Sequence, residues 1–98
     1  VTLRIDEFEW TEVLVEKIAV KHGVEPEAVE SALLNSDPSP ITRKAEKGKY
    51  RCWAQVDEDG CYLFIVFSMP KPYTVRVISA RLMTPREKAS YRNWIAGR

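Results

Sequence analysis

The chain reads as a small α+β domain in the order β-α-α-β-β-β-α, with helices packed on a mainly antiparallel sheet. Three observations predict this. Two capped helical stretches fill residues 11–35, and Cys61 to Phe67 is apolar on both faces, as a strand covered on two sides must be. A full helix-start signature then begins at Thr84. With 98 residues there is room for one domain, 1–98, burying roughly two-thirds of its unfolded surface.

Residues 1–7 form an extended lead-in, and the alternation of Leu3 with Ile5 and of Phe8 with Trp10 keeps Val1 to Trp10 extended. Thr11 is the N-cap of a first helix running toward His22. Its apolar face is Trp10, Val13, Leu14 and Ile18, and Glu12, Glu16 and Lys17 face water. Gly23 supplies a left-handed C-cap, and Lys21 and His22 place positive charge on the last turn. A second helix starts near Pro26, with Val29, Ala32 and Leu33 at helical spacing, and Asn35-Ser36-Asp37-Pro38-Ser39-Pro40 ends it. Ile41 to Lys49 reads as a basic loop with room for a short strand at its start. Tyr50 to Val56 is a strand, Asp57-Glu58-Asp59-Gly60 a turn, and Cys61 to Phe67 the central strand. Met69-Pro70-Lys71-Pro72 breaks the chain before a strand from Tyr73 to Ala80. Thr84 then caps a last helix through about Ala96, with Pro85 at its first position and Glu87 completing a capping box.

Hydrophobic residues make up 45% and charged residues 30%, the balance of a soluble globular chain. No apolar run approaches the roughly 20 residues a bilayer span needs, so no membrane partner is expected. There is no basic-then-apolar leader, and the expected location is the cytoplasm. If Asp57 to Gly60 turn the hairpin, Val56 faces Cys61 and Cys52 faces Ile65. The two sulfurs then stand ~13 Å apart along the sheet, too far for a disulfide and consistent with a reducing compartment. No metal-ligand spacing, Gly-rich phosphate loop or Ser-His-Asp arrangement is present, so no metal and no cofactor is expected.

The net charge of +1 hides a polarity. Residues 1–42 carry three basic against nine acidic residues, a formal −6, and residues 43–98 carry twelve against five, a formal +7. Such asymmetry suggests a polyanion-facing surface, or else two halves that attract each other. Arg43, Lys44, Lys47 and Lys49 crowd one segment, with Tyr50, Arg51 and Trp53 directly after. Cations interleaved with rings suit single-stranded nucleic acid, whose phosphates they track and whose bases they stack on. Arg43, Lys44, Lys49, Arg51 and Trp53 are the candidates for binding single-stranded nucleic acid, RNA among its forms, although a lysine-rich loop can also be merely solvated.

Arg76 and Arg81 sit in an otherwise apolar strand. Their odd separation points them to opposite faces unless the strand ends or bulges between them. Each is either a phosphate ligand or half of a structural ion pair, for instance with Glu9 or Glu12. If the single-stranded nucleic acid is RNA, its cleavage needs little more than cations on the phosphorane and groups to move two protons, because the 2′-OH can be the nucleophile. His22, the sole histidine, is the acid or base to test, though it already has a role closing a helix. Glu87, Tyr91 and Trp94 share one face of the last helix. Glu87 joins Arg76, Arg81 and His22 as a catalytic candidate beside its capping role, and Tyr91 is expected to pack on the sheet.

The ordered set Phe8-Glu9-Trp10, Lys21-His22-Gly23-Val24, Glu27-Ala28, Leu33-Leu34-Asn35, Leu63-Phe64-Ile65-Val66-Phe67 and the block from Arg76 to Glu87 resembles the BrnT family, toxins of type II toxin–antitoxin systems. The resemblance runs from Phe8 to about Tyr91. It implies a RelE-like fold, metal-independent endoribonuclease activity that inhibits translation, and a cognate ribbon-helix-helix antitoxin through which alone operator DNA is reached. By position, Arg76 and Arg81 match the family's strand arginines. Cys61 stands where relatives often carry arginine after glycine, and Trp53 lies where they often have a glycine nearby. These departures leave room for a catalytically degenerate member that acts as a protein- or nucleic-acid-binding module.

Overall fold

The computed structural model describes residues 4–35, 40–56 and 61–97. The turn expected at 57–60, most of the segment expected to end the second helix (36–39) and the first three lead-in residues lie outside them. In chain order the elements are β1 (Glu7–Glu9), α1 (Glu12–His22), α2 (Pro26–Asn35), β2 (Ile41–Lys44), a single 3-10 turn (Glu46–Gly48), β3 (Lys49–Gln55), β4 (Tyr62–Lys71), β5 (Thr74–Leu82) and α3 (Pro85–Ala96). The five strands form one sheet in the order β1-β5-β4-β3-β2, antiparallel except where β1 runs parallel to β5. The expected α+β architecture is therefore present, with one strand more than the sequence indicated. The short strand for which the start of 41–49 left room is Ile41–Lys44, a paired edge strand, because Tyr50 to Trp53 on β3 supplies its hydrogen-bonding partners.

Helix ends follow the capping chemistry. Thr11 accepts a hydrogen bond from the Leu14 amide, and Gly23 closes α1 at φ 64°. At α3 the Thr84 hydroxyl accepts from the Glu87 amide while the Glu87 carboxylate accepts from the Thr84 amide. Two expectations are corrected. Val13 is 77% exposed, so the buried face of α1 is narrower than its apolar content suggests and centres on Ile18. Met69-Pro70-Lys71 does not break the chain but belongs to the end of β4. Proline fits there because the β4–β5 register is irregular between Ser68 and Lys71, where no ladder donor is needed. The tight turn that follows puts Tyr73 at φ 63°, where glycine is usual. Its carbonyl accepts from the amides of Asp6 and Glu7, which anchors the strained residue.

The inner face of the sheet presents Cys52, Ala54, Leu63, Ile65, Phe67, Val75, Val77 and Ala80 to Ile18, Val24, Val29 and Ala32 of the α1–α2 layer. Helix α3 lies on the opposite, outer face, where Tyr91 meets Tyr62 edge-on at 5.8 Å and Trp94 meets Trp53 at 5.8 Å. Cys52 pairs with Ile65 as the hairpin register required, and neither cysteine forms a disulfide. Burial pushes the Cys52 thiol up to about 11, against a smaller lowering by the Thr42 hydroxyl. At pH 8 it is therefore a protonated, enclosed thiol. Alkylation of the native protein followed by mass spectrometry should leave Cys52 unmodified until the fold is unfolded; rapid labelling would contradict its position.

Candidate functional site

The outer face is built by cross-strand pairing. Odd-numbered residues of β2 and β3 point there, giving a row of Arg43, Arg51, Val66 and Ser79 across four strands. A second row is Lys49, Ser68, Arg76 and Glu9, and a third is Ile41, Trp53, Phe64 and Arg81. Helix α3 rests on the third row through Trp94. The first two rows stay uncovered, so Arg43, Lys49, Arg51 and Arg76 share one open basic surface. Lys44 is not part of it: it pairs with Tyr50 on the inner-face side of the strand.

A bulge in β5 brings Arg76 and Arg81 to the same face. Val66 pairs with Ser79 and Phe67 with Val77, leaving Ile78 without an opposite number. One extra residue in β5 reverses the alternation, which is the condition the odd spacing set. Their β4 partners, Ser68 and Phe64, are four residues apart. The two arginine backbones therefore lie ~13 Å apart, a separation for two points on an extended ligand rather than one phosphate.

Both arginines are in ion pairs. Arg76 donates through Nε to one Glu9 oxygen at 2.9 Å, and its Nη2 stands 2.9 Å from the same oxygen, with the arginine side chain 56% exposed. Such a pair is worth about 0–1 kcal/mol, so an anion can displace it cheaply. Arg81 is held harder. Its guanidinium engages both Glu87 oxygens, at 2.7 and 3.0 Å, donates to the Leu82 carbonyl and lies over the Phe64 ring. The Arg81 fork, then the Thr84 amide and hydroxyl, hold the Glu87 carboxyl below the usual carboxylate range despite partial burial. Glu87 is thus an ionised carboxylate that ties α3 to the end of β5. Of the four catalytic candidates the structure joins Arg81 with Glu87 and puts Arg76 on the same face. His22 lies in the last turn of α1, within the helical layer on the other side of the sheet.

Trp53 does not stand alone as a stacking platform. It is tilted against Phe64 at 5.2 Å and perpendicular to Trp94, and the Arg43 guanidinium covers Trp94 at 4.4 Å. A recess of about 240 Å³ opens between these indoles and the start of α3, lined also by Arg86, Glu87 and Ser90. Sequence reasoning placed Trp94 on the Glu87 face but missed the recess, since Trp53 and Trp94 meet only through tertiary packing. A second hollow of about 350 Å³ lies beside the 3-10 turn, lined by Glu46, Lys47, Lys49, Arg51 and Val66. Lys47 there adopts φ 59°, a left-handed conformation that a lysine takes at some cost. Among the described residues, no helix is long and apolar enough to cross a membrane, and no three His, Cys, Asp or Glu side chains gather as a metal site requires.

No protein-family model matches the sequence, and none of the curated proteins matches it. Among solved structures the chain is similar to the Brucella abortus ribonuclease toxin BrnT, at 16% identity and a TM-score of 0.64, over 80% of this chain and 96% of that one. At that identity the likeness establishes the fold: this chain has a BrnT-like α+β fold, in which the basic outer face described above is built.

Proposed function

We propose that this chain is the toxin of a type II toxin–antitoxin pair, a cytoplasmic ribonuclease that cleaves RNA and inhibits translation. In this reading a co-encoded ribbon-helix-helix antitoxin neutralises it and makes the operator DNA contacts. The observation that carries the proposal is the uncovered surface with Arg43, Lys49, Arg51 and Arg76, in a fold shared with a ribonuclease toxin. RNA phosphates track these cations, and Arg76 exchanges Glu9 for a phosphate. The RNA 2′-oxygen then attacks the adjacent phosphorus, the bond to the 5′-oxygen breaks, and that oxygen takes a proton from water, to which the proton removed from the 2′-OH is finally returned. A 2′,3′-cyclic phosphate remains. Arg76 stabilises the phosphorane, and the displaced Glu9 carboxylate is the nearest group able to accept the 2′-OH proton. Arg81 joins a second phosphate only by giving up Glu87, and His22 has no role on this face.

Expression of the chain should arrest growth, and the purified protein should cut RNA to cyclic-phosphate ends. Arg76→Ala should lose both effects with an unchanged far-UV spectrum; equal toxicity of parent and variant would exclude Arg76 from the site. Glu9→Gln separates binding from proton transfer. It should bind RNA at least as tightly as the parent, because Arg76 is released, yet cleave about 10²–10⁴-fold more slowly. Undiminished cleavage would remove Glu9 from the mechanism. A second reading, a non-catalytic binding module, is favoured by the Arg81–Glu87 lock and by Cys61 where relatives often carry arginine. RNA binding without cleavage or growth arrest would select it.

A further inference from the structure

We infer that the recess bordered by Trp53, Trp94 and the start of α3 holds one nucleobase of the bound RNA and favours guanine. The inference rests on the RNA-binding reading and adds base selection to it. The two indoles meet at 86°, so a planar ring stacked on one presents its edge to the other. A volume of about 240 Å³ lies below the roughly 300–1,000 Å³ of ordinary ligand pockets, which suits a single ring system rather than a whole nucleotide. The Arg43 guanidinium on Trp94 adds a cation to the aromatic stack. Arg43 is also the cross-strand partner of Arg51, and Trp53 is two residues, ~7 Å, from Arg51 along β3. A base in the recess therefore keeps its own phosphate within reach of the basic row.

The polar lining selects among bases. Arg86 offers only donors, and no ion-pair partner for it exists among the described residues. An arginine fork matches the O6 and N7 acceptors of guanine, whereas adenine presents an amino donor in place of O6 and pyrimidines lack N7. Glu87 supplies the complementary acceptor. An ionised carboxylate has about four lone-pair sites, of which Arg81 and the Thr84 amide take three, and the remaining one suits the guanine N1–H or amino group. The Ser90 hydroxyl adapts as donor or acceptor.

The test uses the full chain and 2′-O-methyl RNA of about ten nucleotides, which binds but is not cleaved. All-uridine strands are compared with strands carrying one central guanosine or one central adenosine, followed by tryptophan fluorescence. Guanosine should tighten binding about tenfold and adenosine should not. Arg86→Ala should abolish that gain and leave all-uridine binding in place, and Trp94→Leu should abolish it while weakening every strand, because uracil loses the same stacking face. Arg51→Ala should weaken every strand alike and keep the gain. Equal binding of all three strands, or a gain that survives both recess variants, overturns the base site and leaves RNA binding intact. Failure of every strand to bind overturns the RNA reading and the recess with it.

Discussion

Glu87→Ala is expected to destabilise the fold by about 2 kcal/mol, lowering the melting temperature by roughly 10 °C. The size follows from what one carboxylate does. It accepts the Thr84 amide at the start of α3 and both arms of the Arg81 fork, so its loss uncaps a helix and leaves a guanidinium, one-third exposed, without its counter-charge. The Thr84 hydroxyl still caps the Glu87 amide in the variant, which keeps the loss from growing larger. Glu87→Gln retains an acceptor for Thr84 but no charge for Arg81, and should fall between parent and alanine variant. Thermal unfolding by circular dichroism decides this; a shift of only a degree or two for the alanine variant would mean that α3 is held by its aromatic contacts alone.

The same carboxylate sets a pH dependence with a definite sign. Its folded value is depressed, so the unfolded chain binds the proton more readily and stability rises with pH through the window. The contribution is complete above the ordinary glutamate value of about 4.3 and is lost as pH falls through the lower folded value. The glutamine variant should therefore show a flatter loss of stability below pH ~4 than the parent.

The parts of this fold that depend on local chemistry were legible from residues alone. Thr11 with Gly23, and Thr84 with Pro85 and Glu87, define helix ends through groups within a few positions of each other, and α1 and α3 begin and end accordingly. The continuous apolar run of β4 marked the central strand; α1–α2 cover its inner face, while α3 reaches its outer face only at the Tyr62 and Phe64 end and leaves Val66 and Ser68 half-buried. What escaped depends on distant partners. The sequence allows a short strand at the start of 41–49, but its bounds, Ile41–Lys44, and its place at the sheet edge come from its pairing with β3. The bulge at Ile78 carries no glycine to announce it; its trace is the change from odd-numbered buried valines, Val75 and Val77, to the even-numbered Ala80. For the site, the spacing of Arg76 and Arg81 stated the right condition for a shared face. The assignment of Arg43, Lys49 and Arg51 to one surface, and of Lys44 away from it, required the β2–β3 register.

That register makes a double replacement informative. Arg43 and Arg51 are directly opposed on neighbouring strands, an arrangement of like charges that costs a few tenths of a kcal/mol to about 1 kcal/mol without an anion between them. The stacking of Arg43 on Trp94 returns about 0.5–1 kcal/mol. The two effects nearly cancel, so Arg43→Ala/Arg51→Ala should change folding stability by no more than ~0.5 kcal/mol. Its effect on RNA should be large. Each single-strand phosphate contact contributes about −0.7 to the log–log salt slope, so losing two should flatten the slope by about 1.4 and weaken binding about 25-fold at 0.1 M salt. A surface kept for packing behaves in the opposite way: stability falls and binding follows only as the folded fraction does. If the double variant melts many degrees lower while its remaining folded molecules bind RNA with the parent's salt slope, these arginines fasten α3 and do not hold phosphate. An unchanged melting temperature with a flattened slope is the outcome that only a polyanion-binding sheet face produces.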